Sequence, residues 1–258
     1  MTTKSKKLTE LSLFFPAYNE AGNIEKSVKQ ALRVLPKVAK RYEIIIVDDG
    51  STDNTLQISK RLALKHKKVR VVTQKNKGYG GALKRGFCEA KYEWVFFTDS
   101  DLQFDLAELV AFVDSAQKSD LIIGYRLNRA EGWTREALAK GLKVWNFLLL
   151  GLPFSLKDFD CAFKLIHKSV LDAIEPLFSD GAMFSTELLL KAHRADLPIT
   201  QIGVNHYKRR VGNPTGNNMG VIIKAIKDTF ILKWLLVKQG VRPLSMEHRL
   251  QLQVYKTE

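Results

Sequence analysis

The sequence predicts an α/β protein built on a mostly parallel central sheet with helices on both faces. Two observations carry this. Residues Leu11–Phe15, Tyr42–Val47, Val69–Val72, Trp94–Thr98 and Leu121–Gly124 are continuous apolar runs rather than alternating ones, as strands buried on both faces require. Stretches with helical spacing lie between them, and strands alternating with helices at short, regular spacing imply right-handed crossovers joining parallel neighbours.

The first run ends at Pro16-Ala17-Tyr18-Asn19-Glu20, where the proline is expected to break the strand. Ile24, Val28, Ala31, Leu32 and Leu35 then mark a helix whose end Pro36 disturbs. The second run closes on Asp48-Asp49-Gly50-Ser51-Thr52-Asp53. Ser51, Thr52 and Asp53 are all good N-cap residues, and Leu56, Ile58, Leu62 and Leu64 continue as a helix. After the third run, Gly78-Tyr79-Gly80-Gly81 opens a helix through Leu83 and Phe87. The fourth ends in Asp99-Ser100-Asp101-Leu102-Gln103, followed by a helix over Leu106–Val113, and the fifth ends in Gly124-Tyr125-Arg126.

Beyond Gly124 the pattern changes. Lys143–Leu152 is strongly apolar but too short to span a bilayer. Asp158–Ile166 reads as strand or loop, Phe184–His193 as helix, Ile199–His206 as strand and Val211–Gly220 as a Gly/Asn/Pro-rich loop. Val221–Val237 is apolar but carries Lys224, Lys227, Asp228 and Lys233. Each such charge costs ~2.5–3.5 kcal/mol at a bilayer centre, so a spanning helix is not expected. The segment reads instead as an imperfectly amphipathic helix, either packed on the domain or lying in a membrane interface.

At 258 residues, 45% hydrophobic and 26% charged, the chain has the composition of a globular protein rather than a disordered one. Cys88 and Cys161 lie far apart without metal-type spacing, so neither a disulfide nor a zinc framework is supported, and a reducing, cytoplasmic setting fits. Met1–Glu10 is a basic tail that lacks the apolar segment of a signal peptide. The net charge is +14, and Gln201–Glu258 carries half of it, with ten Lys/Arg against three acids. Such an excess points to nucleic acid, an anionic membrane surface or phosphorylated substrates. Nucleic acid is disfavoured because the basic residues are not interleaved with stacking aromatics.

Asp99 and Asp101 cannot lie along a buried strand, so they must stand at its open C-terminal end, where ligands bind in open α/β sheets. A surface pair without a ligand is the plainer alternative. Together with the amide oxygen of Gln103 they make a set of hard oxygen donors, suited to Mg²⁺ or Mn²⁺ that also holds a diphosphate.

Four loops in this order, each after its own strand, closely resemble the family-2 inverting glycosyltransferases of GT-A fold: Pro16-Ala17-Tyr18-Asn19-Glu20, Asp48-Asp49-Gly50-Ser51-x-Asp53, Asp99-Ser100-Asp101-Leu102-Gln103 and Gly124-Tyr125-Arg126. The Leu-Gln after Asp-x-Asp is similar to that of dolichol- and other polyprenyl-phosphate sugar synthases. The resemblance covers about Leu11 to Gly216, roughly four fifths of the chain, which leaves 217–258 as a C-terminal helix and tail. It implies transfer of a hexose from a nucleotide-sugar, GDP-mannose or a UDP-sugar, to a polyprenyl phosphate, by an enzyme peripheral to the cytoplasmic membrane face. It also implies that Pro16, Tyr18 and Glu20 contact base and ribose, that Val47 and Asp49 read the base edge, and that Asp99 and Ser100 lie by the ribose and diphosphate. Asp101 and Gln103, with Asp99, would hold the metal, while Arg126 and Arg209 would bind the acceptor phosphate.

Chemistry supports that division: a phosphate acceptor is already ionised and needs aimed cations, whereas a sugar hydroxyl needs a carboxylate base. A soluble family-2 enzyme acting on a hydroxyl acceptor is the alternative, with Glu187 as a candidate base or as polar scaffolding. A non-catalytic relative is a weaker one, since the metal-site residues are intact. Ala139 and Thr215 fall where the family often has Ser and Lys, so Lys208, Arg210 and Arg135 are further candidates for the phosphate. Asp48 and Asp53 are read as capping and loop residues and His206 as structural. The Gln-x-x-Arg-Trp signature of processive polysaccharide synthases is absent.

Overall fold

The computed structural model describes residues 7–128, 141, 144–145, 147–153, 155–181, 183–209, 211 and 219–239. Seven strands form one sheet in the order β3-β2-β1-β4-β6-β5-β7. They are β1 (Leu8–Ala17), β2 (Ala39–Asp48), β3 (Val69–Thr73), β4 (Trp94–Thr98), β5 (Leu121–Arg126), β6 (Phe163–His167) and β7 (Ile199–Val204). All run in one direction except β6, which is antiparallel to both its neighbours, β4 and β5. The helices are α1 (Ile24–Val38), α2 (Thr55–Lys65), α3 (Gly78–Glu89), α4 (Leu109–Ser115, after a 3₁₀ turn at Leu106–Glu108), α5 (Lys168–Ile174), α6 (Phe184–Arg194) and α7 (Met219–Gln239).

The strand order makes the cleft. From β1 the chain winds outward through β2 and β3, then returns to place β4 on the other side of β1. The order therefore reverses between β1 and β4, and the loops at their C-terminal ends diverge to leave a crevice.

Burial on both faces explains the continuous apolar runs. Phe14 and Phe97 are register partners and stack at 5.5 Å, with Phe87 of α3 edge-on to both and Phe184 of α6 stacked on Phe87. Leu13 and Phe96, also partners, face the other way, where Phe96 and Phe112 of α4 meet Phe163 of β6 at 4.7 and 4.9 Å. Helix α1 packs beside α4 and buries Ile24, Val28, Ala31, Leu35 and Val38, so the chain is a three-layer α/β fold.

The structure differs from the sequence-based expectation at several edges. Strand β1 begins at Leu8, inside the segment read as a tail, and continues through Pro16, which pairs with Val47. Helix α1 runs past Pro36 to Val38. The Asp158–Ile166 stretch resolves into a turn followed by β6, and α5 follows it unannounced. Helix α7 packs on the domain through Thr229, Leu232 and Leu236, and the Phe230 ring meets Trp145 edge-on at 5.9 Å. Its outward face exposes Phe230, Ile231 and Trp234 together with Lys227, Lys233 and Lys238. No helix among the described residues is long and apolar enough to cross a membrane.

Close packing in the first layer makes Gly86 indispensable: a Cβ there would overlap the Phe14 ring. Gly86→Ala is expected to destabilise the fold by about 1–3 kcal/mol, read as a lower urea midpoint at unchanged slope.

Candidate active site

The first loop is shaped by Asn19, whose left-handed backbone (φ 56) aims its side chain across the crevice edge. Its Oδ1 accepts the backbone N–H of Thr52 at 2.8 Å and of Asp53 at 3.3 Å. Asp53 in turn accepts from the Ala21 and Thr55 N–H groups and the Thr55 hydroxyl. Burial acts to raise the Asp53 pKa, but those donors outweigh it and lower it. Asp53 is thus a loop and capping residue, as expected, and the buried Asp48 accepts the Thr73 hydroxyl at 3.1 Å.

Several residues expected to touch the nucleotide also hold the frame together. Val47 is fully buried, with Pro16 and Val72 as its register partners, so its side chain packs in the core. Ser100 is buried too; its hydroxyl donates to the Pro16 carbonyl at 3.2 Å while its own carbonyl accepts from Ser27 at 2.8 Å. It ties the β1 and β4 loops to each other. Asp49 is 3% exposed and uses Oδ1 on the Gln74 amide (2.8 Å) and the Lys77 N–H (2.9 Å), holding the start of α3. Tyr18, by contrast, is 43% exposed at the rim, where its ring is open to a base.

At the end of β4 the carboxylates crowd. Asp101 is 7% exposed, accepts the Gln103 N–H at 3.1 Å through Oδ1 and holds Oδ2 3.7 Å from Arg209. Leu102 between them has a left-handed backbone (φ 63), a strained conformation for a branched residue of the kind that surrounding structure must enforce. The enforcement is visible. The Gln103 amide donates to the Tyr207 carbonyl at 3.0 Å, Tyr207 N–H donates back at 2.9 Å, and Phe104 and His206 form an antiparallel bridge. His206 packs its ring 5.2 Å from Phe104 and is structural, as expected.

That bridge delivers Arg209, whose guanidinium pairs with both Glu20 and Asp101. Burial raises the pKa of Glu20, against the lowering effect of Asn23 and Arg209. Asp101 is raised as well, again by burial first. Asp99 is pushed up to about 7 by burial and by the charge of Asp101, although the Tyr79 hydroxyl, a donor that sequence reasoning did not single out, holds it down. Partly desolvated carboxylates that gain too little from their partners are what a divalent cation relieves. The Asp99 and Asp101 oxygens and the Gln103 amide oxygen therefore fit the Mg²⁺ or Mn²⁺ expected.

The second half of the crevice departs from expectation. Arg126, at the end of β5, is clasped by Asp158 in a two-pronged pair, Nε to Oδ2 at 2.6 Å and Nη2 to Oδ1 at 2.8 Å. Burial works against the charge of Arg126, but Asp158 raises its pKa, so that side of its fork is committed to the protein. Glu187 is fully buried, accepts the Phe178 and Ser179 N–H groups and pairs with Lys191 at 2.9 Å, so it is scaffolding and not a base. The loop it holds rests on α3, where a Cβ at Gly80 would come within 2.6 Å of the Asp180 carbonyl carbon. Arg135, Ala139, Arg210 and Thr215 lie outside the described residues. Sequence reasoning missed Tyr79, Asp158 and Lys164; the lysine inside the apolar run Ala162–Ile166 was the one visible signal.

The Asp99 shift has a measurable sign. The folded state keeps this proton to about pH 7, whereas the ordinary aspartate value is 3.8. Between the two the folded chain binds more protons, so its stability falls as pH rises. Asp99→Asn is expected to raise the Tm of metal-free protein by an amount that grows from about pH 4 to 7 and then levels off, checked by melts across that range.

Comparison with known proteins agrees with this geometry. Residues 12–174 match the family described as "Glycosyl transferase family 2". The dolichyl-phosphate beta-glucosyltransferase of Saccharomyces cerevisiae is 30% identical over 245 residues, spanning 84% of this chain and 71% of the yeast protein. The human protein of the same name is 29% identical over 216 residues (76% of this chain, 67% of its own). An undecaprenyl-phosphate 4-deoxy-4-formamido-L-arabinose transferase of Proteus mirabilis is 26% identical over 172 residues, 66% of this chain and 52% of its own. Glucosyl-3-phosphoglycerate synthase from Mycobacterium tuberculosis, solved with Mn²⁺, UDP and glucosyl-3-phosphoglycerate, superposes with a TM-score of 0.68 over 87% of this chain and 80% of its own. At 19% identity that likeness shows the fold alone, which is of GT-A type. By its matched domain and by its identity to the yeast enzyme, this chain belongs to glycosyl transferase family 2 and is a glycosyltransferase.

Proposed function

We propose that this enzyme transfers a hexose, with inversion, from a nucleoside-diphosphate sugar to a polyprenyl phosphate. The names of the relatives favour glucose over mannose as the transferred sugar, and a UDP-sugar is the donor to try first. The observation that carries the acceptor is the state of Glu187: the carboxylate singled out as a candidate base for a hydroxyl acceptor is fully buried and hydrogen-bonded to backbone N–H groups. A phosphate oxygen is ionised at neutral pH and attacks the anomeric carbon unaided, as the bond to the nucleoside diphosphate breaks on the opposite face. What the protein must supply is alignment and positive charge.

Arg209 stands 3.7 Å from the Asp101 carboxylate, and Arg126 supplies a second cation at the end of β5. Tyr18 offers its exposed ring to the base. Bound at Asp99, Asp101 and Gln103, a divalent metal would neutralise charge on the departing diphosphate. The outward face of α7, with Phe230 and Trp234 beside Lys227, Lys233 and Lys238, supports peripheral attachment to an anionic membrane at its cytoplasmic side. There each basic residue near the surface contributes ~1 kcal/mol.

The test is transfer from UDP-glucose and from GDP-mannose to a short-chain polyprenyl phosphate and to its dephosphorylated alcohol, with Mn²⁺, Mg²⁺ or EDTA. Transfer to the phosphate alone, lost in EDTA, is expected; transfer to the alcohol would overturn the reading. Asp101→Ala and Arg209→Ala should each lower kcat/KM by about a hundredfold or more. The chain should also sediment with anionic but not neutral vesicles, and be released by salt.

A further inference from the structure

Lys164 is the one lysine of β6 and has no exposed surface. Its register partners on either side are Phe97 of β4 and Ile123 of β5, both fully buried. An ammonium there is costly unless every proton finds an acceptor. The acceptors are the Phe159 carbonyl at 3.1 Å, the Cys161 carbonyl and the Ser185 hydroxyl at 3.5 Å, with the Phe97 ring centroid 5.6 Å away. A methionine would fill the same space beside Phe97 without that cost, so packing alone does not account for the cation.

What Lys164 holds is the turn before β6. Two of its acceptors belong to that turn, and the turn carries Asp158, which takes three donors from a single residue. Besides the two guanidinium bonds, Asp158 Oδ2 lies 3.4 Å from the backbone N–H of Arg126. Arg126 is thereby fixed at both its backbone and its tip, leaving the Nη1 edge as the part of the fork not used by Asp158. We infer that Lys164 and Asp158 are positioning residues for Arg126: the ammonium sets the turn, and the carboxylate of that turn aims the guanidinium at the acceptor phosphate. The inference rests on the reading of Arg126 given above.

Steady-state kinetics of Arg126→Ala, Asp158→Asn and Lys164→Met, with UDP-glucose and a short-chain polyprenyl phosphate varied in turn, separate the possibilities. Asp158→Asn and Lys164→Met should each raise the acceptor KM about tenfold or more, as misplacement of an aligning group does. The donor KM should stay within about twofold, and neither substitution should add to the effect of Arg126→Ala, since groups acting through one another are non-additive. If Arg126→Ala raises the acceptor KM while the other two leave it at the wild-type value, the positioning role is overturned. It is overturned equally if they raise both KM values together. If Arg126→Ala itself leaves the acceptor KM unchanged, the reading of Arg126 fails and the inference falls with it. Should Lys164→Met not fold, the near-isosteric Asp158→Asn carries the test alone.

Discussion

The structure turns on the gathering of acidic groups in a partly desolvated crevice where β1 and β4 part. Glu20, Asp99 and Asp101 come from two loops, and burial drives each pKa upward. A fold cannot hold three such groups together without a cation nearby. The protein's own contribution is Arg209, which lies 189 positions after Glu20 and reaches it only because the chain returns past the β4 loop. The Phe104–His206 bridge and the reciprocal bonds between Gln103 and Tyr207 are the means of that return.

The same need for fixed placement explains the polar bonds spent on loop structure. Ser100 joins the β4 loop to the β1 loop, Asn19 joins the β1 loop to the β2 loop, and Asp49 fixes the start of α3, which in turn presents Tyr79 to Asp99. Each loop at the crevice is thus held by a neighbour from a different strand. A rigid frame of this kind keeps charges at set distances, and electrostatic stabilisation of a transition state depends on that preorganisation.

Much of this was legible in the sequence, and the limits have physical causes. Continuous apolar runs located β1 to β5 because burial on both faces leaves no room for alternation. The strand-end loops announced the site, because polar residues following such a run have nowhere else to go. Direction and occupancy were not legible. The reversed β6 carries the same apolar pattern as a parallel strand, since pattern reports burial and not polarity. Val47 and Ser100 sit in motif positions, yet their packing inside the frame was not legible: Val47 is buried in the core, and the Ser100 hydroxyl bonds Pro16, 84 residues away. The pairing of Arg126 with Asp158 was hidden similarly, because spacing shows which loops converge and not which charges neutralise each other.

A comparison within the molecule sets the β4 carboxylates apart from those of the frame. Glu43 is as buried as Asp101, at 6% against 7% exposure. It accepts the Ser12 hydroxyl at 2.7 Å, the Lys91 N–H at 2.8 Å and Arg70 Nε at 2.8 Å. Burial alone would raise its pKa, but those donors outweigh it and the value falls below the ordinary one. Asp101 has the Gln103 N–H and an arginine at 3.7 Å, and its value rises. At similar solvent exposure Asp101 is the more deeply enclosed by protein and has the fewer donors, which separates a carboxylate satisfied by its own fold from one left short of positive charge. The deficit lies at the strand ends where α/β sheets bind ligands, and a site short of cations is one that accepts a metal.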